Sequence, residues 1–191
     1  MELREAITGR RSVRKYKPDP VPKQLLQEII DLALWAPSPM NRQDSSFIVV
    51  EGDRKKDILK ISSDAFESFR PALEKQFADK PKIIAGMKTF FETYGGAPVI
   101  VLAYAGKLPN GQDDFCGTAM AVQNLLLAAH GVGLGACWTD GAIFYKEAEF
   151  NNLLGVSGKK LVSIVPIGYP DEQPRVPPRR EARVTWLGSG S

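Results

Sequence analysis

The segment Phe115–His130 constrains the fold of this chain more than any other, because it has helical length and almost no charge. Apolar residues occur on every side of the helix that it predicts, so no face is suited to water. Such a helix has to be buried on most faces, in the core of the chain or in an interface between subunits. The sequence therefore predicts a long helix against which the remaining elements, or a second copy, are packed.

Apolar runs of strand length lie at Ser46–Glu51, Val99–Ala105 and Lys160–Tyr169. Shorter strands are predicted at Leu134–Trp138 and Glu181–Leu187. The predicted helices are Met1–Thr8, Lys23–Trp35, Asp53–Ser63, Asp64–Phe77, Pro81–Tyr94 and Lys146–Leu154, with loops at Ala36–Ser46 and Lys107–Asp113. Helices and strands do not alternate strictly, which favours an α+β fold over a parallel nucleotide-binding fold.

The length of 191 residues suits a single domain, which we place at residues 1–187. Ile61–Tyr94 is aromatic and loosely patterned, as expected of a lid, and 188–191 are interpreted as a flexible tail or a cloning remnant. The net charge of +3 comes without a long basic stripe, so nucleic acid is not an expected partner. Neither a secretory leader nor a membrane-length apolar run is recognisable, and we expect a cytoplasmic protein.

Four cations and one hydroxyl lie within seven residues, Arg10–Tyr16, which read RRSVRKY. A guanidinium presents a rigid fork of donors that fits a phosphate in bidentate fashion. Arg10, Arg11 and Arg14 could surround one phosphate, with Ser12 as a further donor. The alternative for such a run is an ordinary solvated basic surface.

A polar loop follows the second predicted helix. Pro37 and Pro39 stiffen it, so that Ser38, Asn41 and Gln43 project from a restrained backbone. Hydroxyl and amide groups of this kind orient a polar, uncharged ring or sugar by hydrogen bonds. An ordinary capped turn is the alternative interpretation.

The glycine-rich segment Gly131–Gly141 has the spacing of a dinucleotide fingerprint but the wrong context, since a helix precedes it and a strand follows. We interpret Gly131 as the helix end and the other glycines as points of close packing. The turn Trp138–Gly141 could then offer backbone amides to an acceptor nitrogen of a planar ligand.

The C-terminal arm is rich in proline over Pro170–Pro178, and such arms often lie across another subunit. Arg179 and Arg180, which follow it, could return to the phosphate site or remain solvated. Acid–base machinery is sparse: His130 lies at a helix end, where it complements the dipole. With one histidine and two cysteines there is no zinc set and no disulfide framework, and reduced structural thiols are expected. If the chain is an enzyme, a cofactor should supply the chemistry.

In this order the segments resemble the nitroreductase family of flavin enzymes, from Arg10 to about Val184. The Arg-Arg-Ser-Val-Arg motif is the most specific mark. The Ala-Pro-Ser-x-x-Asn-x-Gln loop, the helix carrying Gln123–Ala129, the Gly-Leu-Gly turn and the Gly-Tyr-Pro strand end reinforce it. The resemblance implies a nitroreductase-like α+β fold, with a central mixed or antiparallel sheet flanked by helices and completed by the partner's C-terminal arm in a homodimer.

The resemblance also implies FMN at each dimer interface and NAD(P)H as a transient electron donor. Hydride would pass to a nitroaromatic, a quinone or a similar electron-poor small molecule in a ping-pong cycle, without a catalytic side chain. The implied contacts with FMN are Arg10, Arg11, Ser12 and Arg14 at the phosphate and ribityl chain, Arg180 with Arg179 closing that site, Ser38, Pro39 and Asn41 from the partner with Gln43 supporting their loop, and Trp138, Thr139, Asp140 and Gly141 at the isoalloxazine.

The sequence departs from the family pattern in two places. Asp44 and Ser45 replace the usual Pro-Trp after the polar loop, and Glu181-Ala182 replace the proline and leucine that usually follow the arginines. The shape of the loop and the arginine that meets the phosphate are therefore open. So are the physiological acceptor, the choice between NADH and NADPH, and any role of Cys137.

Other functions remain possible from the sequence. The same fold could serve reductive dehalogenation, for which Lys88, Glu92 and Tyr94 would have to converge on a zwitterion, or oxygen-dependent breakdown of flavin. A non-catalytic flavin-binding sensor would share the phosphate site. A basic interaction protein without cofactor is the remaining alternative.

Overall fold

A four-stranded antiparallel sheet lies at the centre of the fold, in the order β1–β2–β6–β5. The computed structural model describes residues 1–180 and 184–188. The strands are β1 (Ser46–Glu51), β2 (Val99–Tyr104), β3 (Gly106–Lys107), β4 (Asp113–Asp114), β5 (Gly135–Ala136) and β6 (Leu161–Gly168). The helices are α1 (Leu3–Gly9), α2 (Lys23–Ala33), α3 (Lys55–Gln76), α4 (Pro81–Thr93), α5 (Phe115–Gly131) and α6 (Ile143–Leu154).

The two faces of the sheet are covered by different helices, because successive strand residues point to opposite sides. Val99 and Val101 of β2 pack with α2 and α5, whereas Ile100 and Leu102 pack with α3, α4 and α6. Both β2 and β6 are buried at every residue. This double covering explains why their sequences are continuous apolar runs and confirms the expected α+β architecture.

The long apolar helix α5 is buried on one face only in the single chain. Thr118, Val122 and Leu125 are fully buried, whereas Phe115 is 50% and Met120 is 43% exposed. The helix lies in an outer layer beside α2, so its far side meets no other described element. The expectation of burial on most faces is therefore not met within one chain.

One local prediction is corrected by the structure, and a second is made more specific. The segments Asp53–Ser63 and Asp64–Phe77 are not two helices, because α3 is continuous through the polar junction and through Pro71. Ser62, at that junction, is buried and bonded to the hydroxyl of Tyr94, so it does not begin a turn. The predicted loop Lys107–Asp113 is the turn of a small hairpin formed by β3 and β4.

The C-terminal arm runs without helix or strand from Pro170 to Arg180, apart from a bridge between Pro170 and Tyr16. Residues 184–188 form no helix or strand and are exposed. The predicted strand Glu181–Leu187 lies partly outside the described residues, as does most of the predicted tail 188–191. Among the described residues, no helix is long and apolar enough to cross a membrane.

Replacing Tyr94 with phenylalanine is expected to lower the free energy of unfolding by about 1–3 kcal/mol, because the buried hydroxyl of Ser62 would lose its partner. The two hydroxyls are 2.7 Å apart and both residues are fully buried. Burial raises the pKa of Tyr94 to about 12, so the hydroxyl is neutral at ordinary pH. Urea denaturation measures the change. The double variant Tyr94→Phe/Ser62→Ala should recover part of the loss, and strictly additive losses would contradict a coupled pair.

Candidate functional site

The basic segment Arg10–Tyr16 is held in an extended conformation across the end of the sheet. The amide of Val13 donates to the carbonyl of Ala136 (3.2 Å), and that of Tyr16 donates to the carbonyl of Gly95 (2.9 Å). Val13 and Tyr16 are buried, and Ser12 forms a parallel bridge with Ala136. This bridge is the only parallel pairing among the strands and bridges described; the ladders are all antiparallel.

Two glycines allow this close approach. A Cβ on Gly135 would lie 2.8 Å from the side chain of Val13, and a Cβ on Gly95 would lie 2.0 Å from the carbonyl oxygen of Arg14. Gly95 also has a φ of +65°, which disfavours other residues. The interpretation of Gly135 as a point of close packing is confirmed, and Gly95 is a second such point that the sequence reading did not identify.

The arginines of the segment differ in their partners. Arg11 donates through Nη1 to the carbonyls of Thr8 (2.8 Å) and Arg10 (2.7 Å). Within residues 1–180 and 184–188, the guanidinium groups of Arg10 and Arg14 meet no carboxylate and no other protein acceptor, and the buried Nε of Arg11 also lacks a partner. The site thus holds donors that an anion could use.

Arg179 lies close to Arg10. Burial lowers the pKa of Arg10 most, and the neighbouring cations Arg11 and Arg179 lower it further. The concentration of positive charge at this point is what a phosphate would neutralise. Both C-terminal arginines are exposed. Of the two, Arg179 is the one whose charge acts on Arg10.

A cavity of about 560 Å³ joins the basic segment to the glycine-rich turn. Arg14 lies on one side, and Cys137 and the predicted residues Trp138–Gly141 lie on another. The turn is fixed because the Trp138 indole donates to Asp140 (3.0 Å) and Thr139 exchanges backbone hydrogen bonds with Ile164. In the described part of the chain, the amides of Asp140 and Gly141 donate to no acceptor, so they are available to a ligand.

The remaining wall of the cavity is apolar and comes from the segment predicted as a lid. Its side chains are Phe69, Ile83, Met87, Phe90 and Phe91. The ring centroids of Phe69 and Phe91 are 5.2 Å apart, and Phe69 is 5.4 Å from Tyr145. The sequence indicated this segment by its aromatic content, but it could not identify these side chains because α3 and α4 meet only in the fold.

A second cavity of about 440 Å³ lies beside the first and is lined by Arg10, Arg11, His130 and Glu172, among others. Glu172 accepts a hydrogen bond from the amide of Arg14, which fastens the start of the arm to the basic segment. Burial, followed by Arg10 and Arg11, lowers the pKa of His130. The basic segment is thus accessible from two sides.

The polar loop does not line the cavity that contains Arg14 in the single chain. Ser38 and Gln43 line a pocket of about 100 Å³ beside α5. Asn41 and Gln43 line another of about 560 Å³ beside Trp35, and Pro39 begins a short 3-10 turn. Met40, Asn41 and Gln43 all have φ values near +53°, a conformation that costs about 1–3 kcal/mol for each such residue. Backbone strain of this kind is concentrated at functional sites.

Within residues 1–180 and 184–188, Cys137 is not an activated thiol and Lys88, Glu92 and Tyr94 form no zwitterion clamp. Burial raises the pKa of Cys137, which keeps that thiol protonated. Lys88 is paired at the surface with Glu67 and Glu92, at 3.8 Å each, whereas the Tyr94 hydroxyl is buried against Ser62. Lys88, Glu92 and Tyr94 therefore do not converge. The described residues also contain no cluster of three potential metal ligands.

Comparison with known proteins gives a consistent result. The model of the Nitroreductase family matches residues 7–169. A Bacillus subtilis protein, provisionally named NAD(P)H nitroreductase YfhC, is 30% identical over 185 residues, which cover 95% of this chain and 91% of the relative.

Solved structures of nitroreductases have the same fold as this chain. A nitroreductase-like family protein from Bacillus cereus has a TM-score of 0.76 at 25% identity, covering 99% of this chain and 97% of its own. The FMN-dependent nitroreductase NfnB from Mycobacterium smegmatis, solved in complex with NADPH, has a TM-score of 0.72 at 22% identity, covering 94% and 97%. The expected fold is confirmed.

Proposed function

This chain belongs to the nitroreductase family, and we propose that it is an FMN-dependent NAD(P)H oxidoreductase that reduces electron-poor aromatic or quinone-like small molecules. The relative from Bacillus subtilis is named for NAD(P)H, and the fold relative from Mycobacterium smegmatis binds FMN and NADPH. The observation that carries the proposal is the cavity that joins Arg14, whose guanidinium meets no acceptor among the described residues, to the turn Trp138–Gly141.

The residues present fit FMN in three respects. The guanidinium group of Arg14 supplies charge for a phosphate in the cavity of about 560 Å³, and Arg10, with Arg179 as a neighbouring cation, supplies charge in the cavity of about 440 Å³. The cavity of about 560 Å³ has the apolar lining that a ring system needs. The free amides of Asp140 and Gly141 supply donors for a ring nitrogen.

When bound, FMN supplies the redox chemistry by accepting hydride from NAD(P)H and giving it to the acceptor. The protein contributes by orientation and electrostatics. Arg14 places positive charge at the cavity, which favours an anionic reduced cofactor. Phe69 and Phe91 form an apolar wall that excludes water and offers ring faces to an aromatic molecule. Donor and acceptor would use this one cavity in turn, which gives ping-pong kinetics.

The polar loop enters this proposal through a second subunit. In one chain Ser38 and Asn41 do not line the cavity that contains Arg14, so we assign them to the FMN of the partner in a homodimer. Trp35 and Met40, before and within this loop, are 84% and 83% exposed, and apolar residues on the outer side of α5 are exposed as well. A second copy that packs on this side would bury both groups. Sedimentation equilibrium tests the proposed dimer.

The C-terminal arm fits the same assembly. β1 pairs with β2 on one side, and no described residue pairs with its other edge. The arm residues Val184, Trp186 and Leu187 are at least 69% exposed. An open strand edge and an extended apolar arm are complementary, so the proposal includes pairing of the arm with the partner's sheet.

The proposal predicts that the purified protein is yellow and that its visible flavin absorption bleaches with NADPH or NADH in the absence of oxygen. Adding a nitroaromatic or a quinone should restore the colour. An absorption spectrum before and after each addition measures both steps, and buffer containing free FMN is the control for reduction without the protein.

The outcome separates the remaining alternatives. A yellow protein that neither donor bleaches would favour the non-catalytic sensor. A colourless protein that takes up no added FMN would contradict the proposed cofactor. Parallel lines in double-reciprocal plots at several acceptor concentrations would support the ping-pong order.

A further inference from the structure

The segment that follows the polar loop, where Asp44 and Ser45 replace the usual family residues, is hydrogen-bonded to three other parts of the fold. The Asp44 carboxylate accepts hydrogen bonds from the Lys107 amide (2.9 Å) and from Arg42 Nε (3.3 Å). The Ser45 hydroxyl is 2.8 Å from that of Thr118 on α5. Lys159 donates to the Asp44 carbonyl (3.2 Å). The loop end is therefore fixed to the β3–β4 hairpin, to α5 and to the start of β6.

The Asp44 side chain fits closely against the hairpin backbone. A Cβ on Gly106 would lie 2.1 Å from Oδ1 of Asp44, so the missing side chain at position 106 makes room for the carboxylate. The Lys107 amide, and then Arg42, lower the pKa of Asp44, which keeps the group ionised and a good acceptor.

The loop Ser38–Gln43, which Asp44 follows, has few contacts of its own that would hold its conformation. Its internal bonds include those from the Gln43 amide to Ser38 Oγ (3.0 Å), from Gln43 Nε2 to Asn41 Oδ1 (2.9 Å) and from the Asn41 amide to the Ser38 carbonyl (3.0 Å). They link loop residues to one another and do not hold the loop to the body of the protein. With Met40, Asn41 and Gln43 in the left-handed region, the conformation persists only where its ends are fixed.

We propose that Asp44 is a positioning residue, which holds the loop Ser38–Gln43 in its left-handed conformation and thereby preorganises the FMN site of the partner subunit. The second half of this statement rests on the proposed function. The first half concerns the chain alone and can be tested without cofactor.

The test is hydrogen exchange, followed by mass spectrometry, of the peptide that spans residues 38–46 in the full-length FMN-free protein. In Asp44→Ala this peptide should exchange about tenfold faster, since two acceptor contacts are lost. Asp44→Asn keeps one acceptor oxygen and should lie between Asp44→Ala and wild type, and it serves if the alanine variant does not fold. FMN affinity, from titration of the same preparations, should fall about tenfold in Asp44→Ala.

Asp113→Ala is the matched control. Asp113 pairs with the side chain of the same Lys107, at 2.6 Å, without contacting the loop. Unchanged exchange in both Asp44 variants, or equal acceleration in Asp113→Ala, would overturn the positioning role. Faster exchange with unchanged FMN affinity would overturn the link to the cofactor. If wild type binds no FMN, the proposed function and that link both fail, and the exchange data still decide whether Asp44 holds the loop.

Discussion

Replacing Gly95 with alanine is expected to lower the free energy of unfolding by about 2–5 kcal/mol. The added Cβ would lie 2.0 Å from the Arg14 carbonyl oxygen, and the residue would keep a φ of +65° that alanine adopts only with strain. Relief requires the backbone of Arg14 to move, which also displaces the Tyr16–Gly95 hydrogen bond. We therefore expect weaker FMN binding together with the loss of stability, measured by urea denaturation and by cofactor titration.

Gly86→Ala is the control for this change. Gly86 lies within α4, and no atom comes within 4 Å of a Cβ placed there. Alanine in a helix is favoured over glycine, so this variant should gain about 0.5–1 kcal/mol. Wild-type stability in Gly95→Ala would mean that the basic segment is not held against residue 95 as the structure has it.

Replacing Arg14 with alanine is expected to raise the dissociation constant for FMN about 10- to 100-fold, at little cost in stability. A charge-assisted hydrogen bond contributes about 1.5–3 kcal/mol, and the Arg14 guanidinium lines the cavity without a protein acceptor among the described residues. Because no internal ion pair is broken, the effect should be confined to ligand binding. Quenching of FMN fluorescence on titration with FMN-free protein measures it.

Lys15→Ala is the matched control, since Lys15 belongs to the same basic run but pairs with Asp171 at 3.0 Å on the surface. Removing the Lys15 side chain takes away one positive charge, as Arg14→Ala does, but leaves the lining of the cavity unchanged. Equal weakening in the two variants would mean that net charge, and not the position of Arg14, governs FMN binding. Unchanged FMN affinity in Arg14→Ala would refute its assignment to the cofactor site.

β1, β2, β6 and the long helix α5 could be predicted from the sequence within about one residue, whereas the hairpin strands β3 and β4 are not among the predicted strands and β5 is shorter than the predicted strand Leu134–Trp138. β1, β2 and β6 are all runs of branched apolar residues between turn signals, and the continuous apolar runs of β2 and β6 agree with their burial on both faces. β1 lies at the edge of the sheet and is only partly buried. The junction within α3 could not be predicted. Serine is a residue type that often begins helices, so Ser62 suggests a boundary. In the fold its hydroxyl is hydrogen-bonded to Tyr94, which is distant in sequence, and the residue is buried inside the helix.

Part of the candidate site could also be predicted from the sequence, and part of it could not. The motifs around Arg14 and Trp138–Gly141 could be recognised from the sequence, and the structure brings them to one cavity. The aromatic wall of Phe69 and Phe91 could not, because it requires α3 and α4 to pack side by side. The roles of the individual residues toward FMN remain predictions.

The sequence by itself determined the secondary structure of the core, the family and the residue types available to a cofactor, because hydrophobic periodicity and local motifs are properties of neighbouring residues. The tertiary structure decided which of these residues are free to bind. Arg11 is turned toward backbone carbonyls while Arg14 lines a cavity, although the two lie in one motif. Likewise, Asp44 has its contacts on a hairpin far along the chain. Such partners depend on distances that only the folded backbone sets.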